Sequence, residues 1–555
     1  MNRSMAIQRN ETPIDEVAPV LIIGGGLSGL ATALFLAAQG VQPMLVEKHP
    51  ALLTHPRARG FTQRSVEIFR QIGLEPAIRE ASFAGGDAFR WVAVTAETLA
   101  GEHHPVVEAE DTMETLTALS PAPFAPIDQD RLEIILRTRA ADLGADIRFA
   151  TELVSFSNQD DAVTARLRDR QSGREYTVRA RYLVAADGWD SPIRARLGIP
   201  VDGPGPFFHI LTAMIDADLN PALAGREISI AYLNQPRRGT VLMAHDQIGK
   251  RWVFATGYAP DHGESATDVD DARIGDMVRD AAGLSDTPVT LRPQIPGTDL
   301  KVLGFAIGAQ VARDYRSGNV FLVGDAAHIV PPTGGLGANT GIQDAHHLAW
   351  KLALVLDGRA NPALLDTYHA ERHPVGAFTM GQSLARWASR VGAGPDESTP
   401  EIMSYAAVTF GYRYRSTAVD GASADALALS PSGLNGQPGT RAPHLWLCKG
   451  REPVSTIDLF GHDFVLLAGR AGHAWTNAVA TNTLGAVTAY RIGDDSEVSD
   501  PSGAWEAAYG ISPAGAVLVR PDGFVAWREH GYVDDPVSTL RGALQRILGF
   551  AAAKP

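Results

Sequence analysis

Two kinds of apolar pattern divide the chain. Short continuous apolar runs, bounded by turn residues, occupy 18–23, 43–46, 182–186 and 320–323. Runs of this kind predict strands buried on both faces, as in a parallel sheet covered by helices. Helix periodicity follows the first run over 27–39, where Gly40 is a natural stop, and recurs over 65–72, from Gln129 and from Ile342. Between about 203 and 299 the pattern changes. Segments 227–233 and 251–256 alternate apolar and polar residues, which predicts antiparallel strands with one buried face. After about 420 the composition shifts toward Gly, Pro and Ser, as at a domain boundary. Beyond it lie an apolar strand over 464–467 and a hairpin over 516–528 that turns on Asp522-Gly523. A chain of 555 residues is too long for one core, so two or three domains are expected.

Composition narrows the function. The hydrophobic share of 45% is ordinary for globular protein. No run of about 18 apolar residues occurs, so no helical membrane span is expected. Residues 1–17 are polar, lack the apolar core of a signal peptide and read as a disordered tail. A single cysteine, Cys448, excludes an internal disulfide framework and suits the cytoplasm. It also removes the dithiol of a flavin disulfide reductase. A net charge of −14 repels phosphate backbones, which disfavours nucleic acid as a partner. No metal-ligand cluster or Ser-His-Asp set stands out, and His103-His104 reads as a surface pair.

Chemistry enters at two glycine-rich segments. The first apolar run leads into Gly24-Gly25-Gly26-Leu27-Ser28-Gly29, which fits G-x-G-x-x-G and opens the helix pattern. Gly24 permits the tight turn, Gly26 admits a pyrophosphate to the backbone, and Gly29 lets helix and strand pack closely. The helix N-terminus at Leu27 and Ser28 presents unpaired N–H groups to phosphate. Glu47, followed by Lys48, ends the next strand about 20 residues on, where a carboxylate can accept from a ribose diol. Far downstream, the 320–323 run enters Gly324-Asp325-Ala326-Ala327-His328, then a Pro331-to-Gly341 loop of small residues, then a helix pattern. Two such signatures point to one large phosphate-bearing cofactor held between distant segments, and so to a flavin enzyme.

Four segments in order then resemble the class A FAD-dependent aromatic hydroxylases, with the fold of para-hydroxybenzoate hydroxylase. They are His55-Pro56-Arg57-Ala58-Arg59-Gly60, Gln129-Asp130-Arg131-Leu132-Glu133, Asp187-Gly188-Trp189-Asp190-Ser191-Pro192-Ile193-Arg194, and the Gly324 motif with its sequel to Leu352. The resemblance implies non-covalent FAD. It places Arg57 near the flavin and its pyrophosphate, Gln129 on the cofactor, Asp187 and Gly188 at the closure of the site, and Asp325 on the ribityl chain. Pro332, Gly335, Gly337, Ala338 and Asn339 would lie beside the flavin ring. One departure is visible: His347 stands where Asn is usual. A small-residue loop leading into a helix suits reduced flavin, because backbone N–H groups and the helix dipole meet its negative charge.

The implied cycle uses NADPH or NADH as a transient co-substrate. Reduced FAD adds O2 at C4a, and the hydroperoxide transfers one oxygen to an electron-rich ring. The resemblance is strongest to polyketide hydroxylases of the aklavinone hydroxylase type, so a polycyclic phenolic substrate is expected. Baeyer–Villiger or ring-cleaving oxidation of the same substrate class is the alternative, and a flavin-binding partner protein without turnover is the alternative of another class. A flavin halogenase would carry Trp-x-Trp-x-Ile-Pro, which is absent.

By the same resemblance the fold class is α/β. A Rossmann-like FAD-binding domain takes 18–90, 115–202 and 300–400, with a helical extension. An antiparallel substrate sheet takes 91–114 and 203–299, and a thioredoxin-like domain without Cys-x-x-C takes 425–555. That last domain reads as structural or as a dimer contact, and a homodimer is compatible with it. Tyr232, Met243, Trp252 and Phe254 are candidates for an aromatic pocket, Tyr232 first, although sheet core explains any one of them. Arg372, in Tyr-x-x-Glu-Arg-x-Pro, reads as structural first and active-site second.

Overall fold

A computed structural model of the chain describes residues 13–52, 57–83, 91–106, 112–245, 250–295, 298–391, 400–423, 426–481 and 486–550. The apolar runs form one sheet. In spatial order its strands are Val320–Leu322, Glu175–Ala185, Glu16–Ile23, Met44–Val46 and Asp146–Arg148, all parallel. Val20, Leu21, Ile22, Leu183 and Val184 are fully buried because helices cover both faces. The helix Leu27–Ala38 packs against Gln129–Asp142 and against Leu336–Leu356. A connection from strand through helix to parallel strand is the dinucleotide-binding arrangement, and the Gly24 and Gly324 motifs stand at the carboxyl ends of the two strands that flank Glu175–Ala185.

The alternating segments form a second sheet. Its order is His328–Ile329, Val302–Ala312, Val201–Asp216, Arg251–Tyr258, Thr240–Ala244, Ile230–Leu233, Ala93–Ala96 and His104–Pro105. One face is closed by the helix Asp271–Ala282, against which Leu211, Leu242, Trp252 and Phe254 are buried. Trp252 and Phe254 are therefore sheet core and not pocket. Cross-strand partners share a face. Tyr232 pairs with Val241, Val241 with Ala255, and Met243 with Val253, so these residues occupy the opposite face.

The C-terminal domain has strand order Val487–Arg491, Phe464–Ala468, Ala516–Val519, Val525–Glu529. The first two strands are parallel around the helix His473–Ala480; the last two form the antiparallel hairpin on Asp522-Gly523, followed by the helix Pro536–Ile547. This is a thioredoxin-like topology. It docks through buried charge. Arg520 donates to both oxygens of Glu371, at 2.7 and 3.0 Å, Arg64 donates to the Asp522 carbonyl at 2.6 Å, and Arg441 pairs with Glu67.

Three boundaries differ from the sequence expectation. The first strand begins at Glu16, so 16–17 leave the expected tail, of which residues 1–12 lie outside the described residues. Pro19 does not break the strand, because the neighbour on one side first pairs at Leu21 and no ladder donor is missing there. Val302–Ala312, expected in the FAD-binding domain, belongs to the substrate sheet, where it pairs with Val201–Asp216. That long partner strand in turn begins before residue 203. Gly304, Gly308 and two register shifts blur the alternation that would have marked the strand.

Candidate functional site

The Gly24 loop is built by close approach. A Cβ on Gly24 would lie 2.2 Å from the Ala186 carbonyl oxygen, and one on Gly29 would lie 1.9 Å from the Gly24 oxygen. Gly24 also has φ +109°, which strains any L side chain. Gly26 differs, since among the described residues a Cβ there would meet only Arg57 Nη1 at 4.0 Å. Its face is open space under a guanidinium, which fits a pyrophosphate. Gly24, Gly26 and Ser28 are half-buried, while Leu27 is buried and offers only its backbone.

Arg57 is aimed by Glu133. Its Nη2 donates to Glu133 Oε1 and Oε2, at 2.9 and 3.1 Å, which leaves Nη1 toward the Gly loop. Burial holds the Glu133 carboxyl above its usual range against the pull of Arg57. His55 and Pro56 lie outside the described residues. Gln129 is buried and tied on both ends, donating to Glu133 at 2.8 Å and accepting from Ala58 N at 3.3 Å. Its amide therefore braces the Arg57 segment.

Glu47 Oε2 accepts from Gly25 N at 2.6 Å, and Oε1 accepts from His49 N at 2.9 Å. Oε1 also meets His49 Nδ1 at 2.6 Å, so it is Oε2 that keeps a further acceptor site for a ribose diol. Lys48 is exposed beside it.

The Asp187 carboxylate is engaged within its own loop. It accepts from Ser191 Oγ at 2.6 Å and from Ile193 N at 3.0 Å, and it caps the turn that Gly188 opens at φ +87°. Arg194 then donates to the Ala326 carbonyl at 3.0 Å, which locks this loop to the Gly324 motif. A third clamp is steric. Cβ atoms on Gly324 and Gly341 would fall 2.2 and 2.4 Å from Ser28 Oγ, so the two glycine-rich segments touch directly.

Asp325 occupies the centre of this assembly. It is exposed, yet desolvation by surrounding protein holds its carboxyl above the usual range, with His328 and then Arg57 pulling the other way. A carboxyl that solvent reaches while protein encloses it faces a cleft. Below it, Asp344 accepts from Gly324 N at 3.2 Å, contacts His328 Nε2 at 2.6 Å and accepts from Arg372 Nε at 2.7 Å. These partners hold Asp344 down at about 2 against the opposing effect of burial.

The small-residue loop ends in Gly335, at φ +64°, as the N-cap of the 21-residue helix Leu336–Leu356. Among the described residues no side chain caps that end, which leaves its first N–H groups to a ligand. Pro332 and Gly335 are exposed, Gly337 and Ala338 half-buried, and nothing lies within 4 Å of a Cβ built on Gly335. Asn339 is buried. Its Oδ1 accepts from Thr62 N and Ser65 Oγ at 2.9 and 2.7 Å, so its side chain ties the helix Gln63–Arg70 to this loop.

The same loop leads to the second sheet. Thr333 donates to the Ser383 carbonyl at 2.7 Å, on the helix Asp366–Val391. One turn on, Trp387 packs edge-on against Phe207 and Phe208, and Arg390 lies 5.7 Å over the Tyr232 ring. Met214, Val241, Met243 and Val253 on that sheet face are half-buried. Arg372 is not part of this cleft. It is fully buried, bonded to Asp344, Tyr414 and the Thr340 carbonyl, so direct contact with substrate is closed to it. The sequence reading missed Trp387, Arg390 and Arg59. Arg59 donates to Asp128 at 2.7 Å and to His245 O at 3.2 Å, joining the Arg57 segment to the substrate sheet. Its place two residues after Arg57 was the available signal; for Trp387 and Arg390 there was none. Among the described residues, no group of His, Cys, Asp and Glu could hold a metal ion, and no helix is long and apolar enough to cross a membrane.

Comparison with known proteins agrees with this geometry. Residues 17–383 match the FAD binding domain family, and residues 435–551 match the aromatic-ring hydroxylase C-terminal family. The chain is 43% identical to a 4-methyl-5-nitrocatechol 5-monooxygenase of a Burkholderia species, over 97% of this chain and 99% of that one. It is 40% identical to the tetracenomycin A2 monooxygenase-dioxygenase of Streptomyces glaucescens, over 97% and 98% of the two chains. The crystal structure of aklavinone-11 hydroxylase with FAD and aklavinone superposes with a TM-score of 0.87 at 36% identity, covering 97% of this chain and all of that one. The chain belongs to the FAD-dependent aromatic-ring hydroxylases, a family of flavoprotein monooxygenases that includes polyketide hydroxylases.

Proposed function

We propose that the protein hydroxylates a polycyclic phenol or quinone of polyketide type, with NAD(P)H as reductant and O2 as oxidant. FAD, when bound, accepts the electrons and activates oxygen. The chain's own residues do the rest. Arg57 and the N–H groups at Leu27 and Ser28 hold the pyrophosphate. Asp325 accepts from the ribityl hydroxyls. The uncapped end of Leu336–Leu356 would present its N–H groups and positive dipole end to the ring system of FAD. The half-buried face of Met214, Val241, Met243 and Val253 excludes water from the ring being oxidised, and Tyr232 orients its polar edge.

One observation carries this reading. The small-residue loop and the open sheet face hang on successive turns of one helix, through Ser383 and then Trp387 and Arg390. The tetracenomycin and aklavinone relatives support a polycyclic substrate. The nitrocatechol monooxygenase supports a second reading, a substituted catechol as substrate.

NAD(P)H consumption by the FAD-loaded protein tests both, with polycyclic phenols and catechols supplied in turn and product mass read. Stimulation with a gain of one oxygen is expected, and the favoured class gives the higher kcat/KM. Insertion of oxygen into a ring bond would identify Baeyer–Villiger oxidation instead. No stimulation by either class would remove the proposal.

A further inference from the structure

The helix Asp366–Val391 crosses the substrate sheet on the face that carries Tyr232, from the strand Val302–Ala312 to the strand Ile230–Leu233. At its last residue helix and sheet touch, since a Cβ on Gly239 would lie 2.5 Å from Val391 Cγ1. Beside that contact the two elements build an aromatic wall. A Cβ on Gly257 would fall 2.6 Å from Phe208 Cζ, and one on Gly239 would fall 3.8 Å from the same atom. Gly257 is not among the glycines with positive φ, so its backbone does not demand glycine. What its missing side chain supplies is a seat for the Phe208 ring.

Trp387 stands on that ring edge-on, with centroids 5.1 Å apart, and on Phe207 at 5.7 Å. Ile210, Ala255 and Ile307 are buried in the same cluster and fix its base. The three aromatic residues are only half-buried, so the wall rests on core and still presents surface. Its place relative to the chemistry follows from the helix. Thr333 of the flavin-side loop reaches the helix at Ser383, and Trp387 comes one turn later, about 6 Å along the axis. In the other direction the face continues. Met214 lies six residues from Phe208 on one strand, about 20 Å away, and is half-buried together with Val253 and Met243.

We propose that Trp387, seated on Phe208, is an end-stop that orients the substrate, an inference that rests on the hydroxylation reading above. The ring to be oxidised abuts the indole, and the rest of the molecule extends over Val253 and Met243. A polycycle whose phenolic ring is terminal fits this arrangement. One with rings fused on both sides of the phenolic ring meets the wall. Discrimination here is by clash and needs no polar contact.

Two isomers of one skeleton separate the cases. Phenanthren-2-ol carries its hydroxyl on a terminal ring, and phenanthren-9-ol carries it on the central ring. The FAD-loaded enzyme is titrated with each in the absence of NAD(P)H, and Kd is read from the flavin difference spectrum. NAD(P)H consumption with product mass then gives kcat/KM for the same pair. Wild type should favour phenanthren-2-ol about tenfold, and Trp387→Ala should cut that preference to about twofold or less. Trp387→Phe should keep most of it. Gly257→Ala lifts Phe208 off the sheet and should deepen the preference. Each ratio is taken within one preparation, so partial loss of folded enzyme cancels. The proposal fails if wild type and Trp387→Ala give the same ratio, if Gly257→Ala relaxes it, or if neither isomer perturbs the flavin in any of these proteins. Oxidation of both isomers at an unchanged ratio removes the stop and leaves the hydroxylation reading. A binding ratio that depends on Trp387, with no oxidation of either isomer, keeps the stop and removes that reading.

Discussion

His347 gives the sharpest test of the electrostatics, because this chain departs there from the asparagine expected of its family. The imidazole is 1% exposed. Nε2 donates to Glu371, and Nδ1 is buried with no partner among the described residues. Desolvation and Lys351 lower it from 6.5 to about 3. Glu371 does not reverse this, since its charge is already met by Arg520 and Lys351. The unfolded chain protonates this histidine as pH falls through about 6.5, and the folded chain only near 3. Between those values the unfolded state binds more protons, so stability falls as pH falls. Integrating from pH 7 to pH 5 gives a loss of about 2 kcal/mol from this one group. Any folded value below about 4.5 gives nearly the same loss, so the number does not rest on the depth of the shift. His347→Asn removes the titrating group and keeps a donor for Glu371. At pH 7 it should cost about 1 kcal/mol, through lost packing on Tyr414 and Tyr368. Urea midpoints at pH 7 and pH 5 measure the difference. Wild type should lose about 2 kcal/mol more than the variant over that interval. Equal losses in the two proteins would refute a neutral buried His347.

Other perturbations probe the remaining supports. Asp325→Ala should weaken FAD about 10- to 100-fold, as expected for a lost hydrogen bond to a charged group, and a fully yellow purified variant would contradict the assignment. Gly324→Ala should also lose FAD, since its Cβ would enter Ser28 Oγ at φ +59°, and flavin absorbance per protein reads this directly. Arg520→Met leaves Glu371 and Asp522 buried with weakened pairing and should cost about 3–5 kcal/mol in urea unfolding. Tyr232→Phe should change kcat or coupling with FAD content unchanged, and identical kinetics would return Tyr232 to the sheet core.

The parts of the fold legible in the sequence are those in which local pattern and tertiary role coincide. The runs at 18–23 and 320–323 are apolar throughout because helices cover both faces of their sheet, and the glycines stand where backbone meets backbone. Such positions leave one residue type possible, so the sequence displays them. The substrate face leaves many possible. Trp252 and Tyr232 look alike in an alternating strand, and only register shows that one lies under the helix Asp271–Ala282 and the other beneath Arg390. Val302–Ala312 was assigned to the wrong domain for a related reason, since its bulges interrupt the period that identifies a strand.

Side-chain roles within the motifs were legible only in part, and the reason is physical. A motif residue can serve the cofactor directly or hold the loop that does, and both uses keep the same letter at the same spacing. Asp325 faces the cleft. Asp187, Gln129 and Asn339 instead bond within protein, to Ser191, Glu133 and Thr62. Arg372 extends this further, since it carries Asp344, which in turn holds Gly324 N and His328. Tyr414 joins Arg372 at 3.0 Å and stacks on Phe524 of the C-terminal hairpin at 4.1 Å. The Gly324 loop is thus continuous, through packed and bonded side chains, with a domain that lies more than a hundred residues further along the chain. No local pattern could have shown that, because every link in it is made between residues distant in sequence.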